Sequence, residues 1–387
     1  MELILIILIN LFNGLGSFMI NPVTSAYFVD RGLAFQYTGL FSSIMSYVSL
    51  AFRPFSGSFS DSFNQKKLML YSYMGMAACM FLYVISADYR MSLLIRICHG
   101  IAFAISTTVS LAFASSFIPE EKMAQSMGVI SMWNMLGQMF GPQLGSMVSD
   151  AFGIDMVFIC AGILNLIVLI LICILPYKNK DDGKKRKLTF SIRNLIARQL
   201  LVYMLLVFIL SYGNGTLSYY LKSYGDYKGI SNISLFYTVS SIVLLIFKPI
   251  LGKVQDQKGV QYILYPGYVI TALSMLLIAN AHSLLPVLAA AVLKGIGQGC
   301  SSAAIQAEGI RILGKKQSGI AVSTIYLGMD IGNAIGPTLS GYQISKMVYE
   351  TMLYTNAVLL MIGFVIFHFY YRSQKKQRSV SLWHYSD

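Results

Sequence analysis

The sequence contains few charged residues, and acidic residues are especially scarce. Asp, Glu, Lys and Arg make up 12% of the 387 residues, whereas a soluble domain carries about 25%. Hydrophobic residues make up 56% of the chain, which excludes intrinsic disorder and argues against a soluble enzyme. We therefore expect a protein with many membrane spans, because so much apolar sequence cannot be buried in one water-soluble core.

Several signatures of catalysis and metal binding are also missing. The sequence has no Gly-x-x-x-x-Gly-Lys-Ser/Thr loop, no His-Glu-x-x-His pair and no Gly-x-Ser-x-Gly turn. Its five cysteines lie within apolar runs and lack Cys-x-x-Cys or metal-like spacing. We expect packed thiols rather than disulfides or a metal site, and we expect neither enzymatic activity nor a cofactor.

Apolar runs of about 20 residues, the length that crosses a bilayer, recur along the whole chain. They predict an all-α polytopic membrane protein with twelve transmembrane helices in two pseudo-symmetric six-helix halves. The predicted spans are 3–29, 37–60, 67–87, 91–116, 123–149, 154–176, 199–221, 231–254, 260–280, 284–307, 318–343 and 349–371.

One long polar connection divides these spans into two groups of six. It contains the run Lys-Asn-Lys-Asp-Asp-Gly-Lys-Lys-Arg-Lys, and the other connections are short. We predict an N-terminal six-helix bundle (1–177), a linker (178–198), a C-terminal six-helix bundle (199–371) and a basic tail (372–387).

Basic residues are distributed unevenly between alternate loops. One set of loops and termini holds 20 of them and the other set holds five. Because Lys and Arg favour the cytoplasmic side of a membrane, this bias predicts that both termini and the linker are cytoplasmic. The net charge of +13 is thus interpreted as a topology signal rather than as a nucleic-acid surface. The expected location is the plasma membrane, namely the inner membrane of a bacterium.

The two halves of the sequence repeat at an offset of 195 residues. Arg53-Pro54 with Gly57 and Asp61 aligns with Lys248-Pro249 followed by Gly252 and Asp256. Far away along the chain, Gly137, Gly141 and Pro142 align with Gly332, Gly336 and Pro337 at the same offset. Two motifs that share one offset favour an internal duplication.

These motifs resemble those of the major facilitator superfamily. Gly57-x-x-x-Asp61, followed by Asn64, Lys66 and Lys67, is similar to the loop signature between spans two and three, although Asn64 replaces its second glycine. Arg96-x-x-His99-Gly100 in span four and the Gly137–Gly145 region of span five resemble two further motifs, the latter typical of proton-coupled exporters of drugs and metabolites. The resemblance implies a transporter with two halves, in which Asp61 contacts span eleven and helps to gate the pathway.

We expect gating roles for residues at two places in each half. The loop-motif residues could form a contact between helix ends, or could simply be an interfacial Asp beside basic residues. The glycine–proline residues could let two helices rock, and close helix packing explains them as well. The gating candidates are Arg53, Gly57, Asp61, Lys66, Gly252, Asp256, Gly137, Gly141, Pro142, Gly336 and Pro337.

Charged residues inside apolar runs are candidates for the transport pathway, because such residues usually line a cavity or pair with one another. Four basic residues and one acidic residue fall within apolar runs: Arg53, Arg96, Lys248, Lys294 and Asp330. The first three could instead extend to the membrane surface or pair structurally. We expect Asp330 to carry the coupling proton, with Lys294 as a possible partner, or the two to form a permanent structural ion pair. The excess of cations suits an anionic or zwitterionic substrate.

Uncharged polar residues cluster on the spans expected to line the cavity. They could bind substrate through hydrogen bonds or hold helices together. The candidates are Asn13, Asn134, Gln138, Tyr212, Asn214 and Gln298.

The sequence therefore predicts a monomeric secondary transporter that exports a small organic solute by alternating access with proton antiport. An importer or uniporter of an anionic metabolite on the same fold is an alternative. A membrane sensor or scaffold without transport activity is a second alternative, and it gives no reason for Asp330 and Lys294 inside spans.

The predicted topology can be tested by cysteine labelling. In a cysteine-free background, Gly183→Cys in the linker should resist an impermeant thiol reagent added to intact cells, whereas Arg90→Cys in the opposite loop set should react. Labelling of Gly183→Cys from outside at the rate of Arg90→Cys would overturn the orientation.

Overall fold

The computed structural model describes residues 2–115, 123–175, 197–313 and 318–383. Fourteen α-helices, with one π-helical segment at Gly295–Gly299, make up nearly all of this part of the chain. They are α1 (Glu2–Met19), α2 (Asn21–Asp30), α3 (Thr38–Ser62), α4 (Gln65–Ile85), α5 (Tyr89–Ser115), α6 (Met123–Phe152), α7 (Ile154–Ile174), α8 (Leu201–Lys228), α9 (Leu235–Lys258), α10 (Gln261–Ala279), α11 (Leu284–Lys294), α12 (Cys300–Leu313), α13 (Ser318–Lys346) and α14 (Glu350–Trp383).

These helices confirm the all-α fold with twelve membrane spans. Within the described residues, nine stretches are long and apolar enough to cross a membrane, and α3, α6 and α13 fill the three remaining predicted spans. The first span divides into α1 and α2 at Ile20, where Pro22 opens the new helix, since proline cannot donate a backbone hydrogen bond. The tenth span divides at the π segment.

Three predicted span ends lie six or more residues short of the helix ends in the structure. Helix α8 runs on to Lys228, beyond the predicted end at 221, and α12 runs on to Leu313, beyond 307. Helix α14 continues to Trp383, beyond 371. The predicted linker, 178–198, falls almost wholly outside the described residues, so its bounds stay a prediction.

The N-terminal half (α1–α7) is organised by close packing of α1 on α6 through a row of glycines. A Cβ atom placed on Gly137 would lie 2.6 Å from the Cα atom of Gly14. A Cβ atom on Gly145 would overlap the carbonyl oxygen of Met19. Because lipid tails are as apolar as the helices, contact between spans depends on such close approach of small residues.

The C-terminal half (α8–α14) repeats this arrangement between α8 and α13. A Cβ atom on Gly332 would lie 2.5 Å from the carbonyl oxygen of Phe208, and one on Gly336 would overlap that of Tyr212. The row also includes Gly328 against Met204, which the sequence pattern did not indicate. Gly341, in contrast, lies against Gly39 of the N-terminal half.

Very short turns join three pairs of neighbouring helices. Gly153, between α6 and α7, and Gly259, between α9 and α10, have φ values of 88° and 96°, in the region that favours glycine. Asn64, at the position equivalent to Gly259, has φ −61°, and its side chain accepts a hydrogen bond from the Lys67 amide. The exception to the loop signature is therefore a helix N-cap.

The close packing of the glycine row predicts that a larger residue at one of its positions destabilises the protein. Gly145→Ala should lower the free energy of unfolding by about 1–3 kcal/mol, because the added methyl group forces α6 away from α1. Thermal unfolding of the purified protein would measure the loss. Gly75→Ala is the matched control, since its Cβ would lie an ordinary 3.5 Å from Ala102; equal stability of the two variants would contradict the packing argument.

Candidate functional site

The described contacts between the two halves lie at one end of the molecule. We call the end that holds residues 62–65 and 258–261 the linker end, and the opposite end, with 30–38 and 228–235, the distal end. Among the described residues, the hydrogen bonds between the halves lie in the distal part. They are Ser25–Tyr219, Thr38–Tyr220, Tyr47–Thr338, Arg96–Tyr219, Ser146–Ser234, Lys222–Asp150 and Thr238–Met139.

Helix α6 makes the shortest of these contacts, with α8 and with Ser234, the residue that precedes α9. The Lys222 ammonium of α8 lies 2.6 Å from the Asp150 carboxylate of α6. The hydroxyl oxygens of Ser146 and Ser234, both buried, are 2.6 Å apart. Backbone approach of Gly39 to Pro337 adds a steric contact between α3 and α13. The distal end is therefore closed in this conformation.

Arg96 lies at this boundary and is fully buried. Its Nη2 atom donates to the carbonyl oxygen of Ser42 at 2.8 Å and approaches the hydroxyl of Tyr219 at 3.4 Å. Its Nε and Nη1 atoms, and both ring nitrogens of the neighbouring His99, are buried without a hydrogen-bond partner. A cation with so few acceptors is unusual, because a buried charge is normally paired.

Lys294 lies at the end of α11, immediately before the π segment, and is partly exposed. Its ammonium donates to the side-chain oxygen of Asn214 at 3.2 Å and lies 5.7 Å from the ring centroid of Phe236. The suggested ion pair with Asp330 is not among the ion pairs of the described residues, because Lys294 is turned toward α8 and α9 instead.

Asp330 lies in the middle of α13, twelve residues after Ser318, or about 18 Å along the helix axis. It is partly exposed. A second acidic residue, Glu308, lies within a membrane-spanning helix because α12 extends to Leu313. Glu308 is buried and accepts two hydrogen bonds from Arg311, at 2.8 and 2.5 Å.

The uncharged polar candidates occupy different environments. Asn13 is buried with its side-chain oxygen unpartnered, Tyr212 is buried and Gln138 is exposed. The amide nitrogen of Gln298 donates to the carbonyl oxygen of Leu210 at 2.9 Å. The structure thus brings Gln298, Lys294 and Asn214 together along α8. The side chain of Asn134 lies outside the described residues.

The structure describes the surroundings of some of the gating candidates at the linker end. Lys66 donates to the carbonyl oxygens of Cys173 and Leu175, at 3.1 and 2.7 Å, and so caps the end of α7. Asp256 is exposed, and no described atom lies within 4 Å of a Cβ built on Gly252. The side chains of Arg53 and Asp61 and the surroundings of Gly57 lie outside the described part of the structure, so the roles of these three residues stay predictions.

The glycine–proline candidates hold helices together in the described structure. Gly137 and Gly141 pack on α1, Gly336 packs on α8, and α6 and α13 continue through Pro142 and Pro337. Sequence reasoning missed the contacts between halves made by Ser146 with Ser234. Single serines in apolar helices carry no signal that separates such contacts from ordinary packing.

Comparison with known proteins agrees with this architecture. The chain matches the model of the Major Facilitator Superfamily over residues 6–265 and 229–382. It is 24% identical over 376 residues to an uncharacterized MFS-type transporter, YuxJ, of Bacillus subtilis, covering 92% of this chain and 95% of the relative. It is 26% identical over 327 residues to the multidrug resistance protein MdtG of Salmonella typhimurium, covering 81% and 78%.

A solved structure shows the same fold. The bacterial homologue of the human lysosomal transporter Spinster, in an inward-facing and unoccupied conformation, superposes with a TM-score of 0.79 at 14% identity, over 94% of this chain and 95% of that one. The match to the family model spans both six-helix halves. The chain is therefore a member of the Major Facilitator Superfamily, a multi-pass membrane transporter.

Proposed function

We propose that this protein is a secondary active transporter that exports a small organic solute by alternating access, in exchange for protons. The observation that carries the proposal is the pair of six-helix halves, joined at the distal end, with Lys294 and Asp330 at mid-membrane depth. Two halves that close one end at a time expose a central site to each side in turn.

The positive-inside bias assigns the distal end to the outside of the cell. On that assignment the described conformation is closed to the outside, and both termini are cytoplasmic. Relatives in bacteria support a place in the bacterial inner membrane. We expect the monomer to be the transporting unit, since each half supplies one side of the pathway.

Export is the direction favoured by two features. The relatives named multidrug resistance protein MdtG are 24–26% identical to this chain, and the glycine–proline motif of α6 resembles that of exporters. An importer of an anionic metabolite on the same fold remains the alternative because Arg96 and Lys294 fit it equally well. The vesicle experiment below separates the two by direction of flux.

Asp330 is the proposed site of proton coupling. A carboxylate in the middle of a span can take a proton from one side and release it to the other as the halves move. Lys294 and Asp330 lie on neighbouring spans of the C-terminal half.

A reversible cross-link should test alternating access. Ser146→Cys combined with Ser234→Cys places two sulfur atoms where hydroxyl oxygens lie 2.6 Å apart, and a disulfide needs about 2 Å between them. In a cysteine-free background, oxidation should lock the distal end and stop transport, and a reductant should restore it.

The matched control for this cross-link is a pair within one half. Ser86 and Ser92 have hydroxyl oxygens 2.8 Å apart, both in the N-terminal half, so the corresponding cysteine pair should cross-link without stopping transport. Undiminished transport by the oxidised Ser146–Ser234 variant would refute motion at the distal end.

Removal of the Asp330 carboxylate should uncouple the proton from the solute. In inside-out membrane vesicles with an acidified lumen, we expect dye accumulation by the wild type and none driven by the gradient in Asp330→Asn. Exchange of dye across vesicles without a gradient should persist in that variant, because binding does not need the carboxylate. Fluorescein and rhodamine 123, collected by filtration, serve as probes.

Asp88→Asn is the matched control, because Asp88 is exposed and its carboxylate accepts from the Met91 amide at 2.8 Å, as an asparagine can. Gradient-driven accumulation by Asp330→Asn at the control level would exclude Asp330 as the coupling site. Accumulation that requires a lumen more alkaline than the medium would indicate an importer.

A further inference from the structure

Lys294 is held by groups that leave its charge uncompensated. Its ammonium has three donors, and Asn214 accepts from it at 3.2 Å while the Phe236 ring lies beside it. An amide oxygen and an aromatic face stabilise a cation without neutralising it. Among the ion pairs of the described residues, none includes Lys294.

The π segment gives Lys294 a specialised surrounding. Glycines at 295 and 297 bring the backbone close to α9 and α10: a Cβ on Gly295 would lie 2.5 Å from the Ser240 carbonyl oxygen. One turn beyond Lys294, Gln298 is fixed to Leu210, and its side-chain oxygen is buried without a partner. Short π segments inside α-helices are frequent at functional sites.

A second uncompensated cation lies across the boundary between the halves. Arg96 keeps three N–H groups, on Nε and Nη1, without an acceptor, and it approaches Tyr219 of α8. Tyr219 and Asn214 are five residues apart on that helix, or about 7.5 Å along its axis. Each half therefore brings one cation to α8, and neither cation has a carboxylate in an ion pair within the described part.

Intramembrane charges without partners are costly and usually mark a substrate pathway. A cationic solute would be repelled by both groups, whereas an acidic group on the solute would supply the missing counter-charge. In the described conformation Arg96 is sealed by its neighbours, while Lys294 is partly exposed. Lys294 is thus the cation available to a solute in this state.

We propose that the transported solute carries an anionic group, of the carboxylate or sulfonate class, and that Lys294 binds that group beside Asn214 and Gln298. This proposal rests on the proposed transport function and adds the charge of the substrate and the residue that recognises it. The buried Gln298 oxygen would accept a hydrogen bond from a polar group next to the acid.

Two dyes with the same xanthene skeleton and opposite charge test the proposal. Fluorescein carries a carboxylate, and rhodamine 123 is a cation. Fluorescence anisotropy with the full-length protein in lipid nanodiscs should show fluorescein binding about tenfold more tightly than rhodamine 123, and Lys294→Met should lose about tenfold in fluorescein affinity, as expected for removal of one charged partner. Lys294→Arg should retain most of the affinity.

Lys253→Met is the matched control, because Lys253 is exposed near the linker end of α9, and it should bind both dyes as the wild type does. Preference of the wild type for rhodamine 123, absence of fluorescein binding, or wild-type affinity in Lys294→Met would overturn the proposal. The wild-type preference between dyes tests the charge of the solute even if Lys294→Met fails to fold, and loss of fluorescein binding in the folded Lys294→Arg variant would then contradict recognition by a cation at this position.

The outcome is separable from that of the proposed function. If the vesicles export rhodamine 123 and the protein does not bind fluorescein, the transport function stands and the anionic substrate is wrong. If fluorescein binds through Lys294 but a proton gradient drives no flux, the anion site stands and proton antiport is wrong.

Discussion

Backbone-to-backbone packing of α1 on α6, and of α8 on α13, is the constraint on which the other features depend. In hydrocarbon the hydrophobic effect does not hold helices together, so contact requires residues without side chains at the interface. Gly137 and Gly145 on one side, and Gly332 and Gly336 on the other, provide it. Each half thereby gains a firm pair of helices, and α13 of one pair also reaches Gly39 of the opposite half.

The polar residues make different kinds of contact at different depths in the membrane. Hydroxyls and an ion pair at the distal end join the halves with contacts that water can replace when they separate. Arg96 in the distal part and Lys294 at mid-membrane depth keep charges that no described carboxylate pairs. The first group can thus bias which end is closed, while a solute contact is the proposed role of the second.

The sequence predicted what depends on composition and period, and missed what depends on how helices face one another. Twelve spans and the duplication follow from apolar length and the 195-residue offset. The sequence predicted a pathway role for Lys294 because it is a charge within a span, and that role stays a prediction. Its contact with Asn214 depends on how α11 is rotated against α8. A π segment follows α11 directly, and the glycines of that segment do not distinguish a π turn from an ordinary helical turn in the sequence. Similarly, Asn64 departs from the loop signature in the sequence, and in the structure it caps the N-terminus of α4.

The short turns at Gly153, Gly259 and Asn64 limit which parts can move separately. A connection of one or two residues cannot absorb a change of tilt between the helices that it joins, so α6 with α7, α9 with α10, and α3 with α4 each behave as a hairpin-shaped lever. A conformational change in such a molecule therefore moves these helix pairs as rigid units rather than moving twelve helices independently.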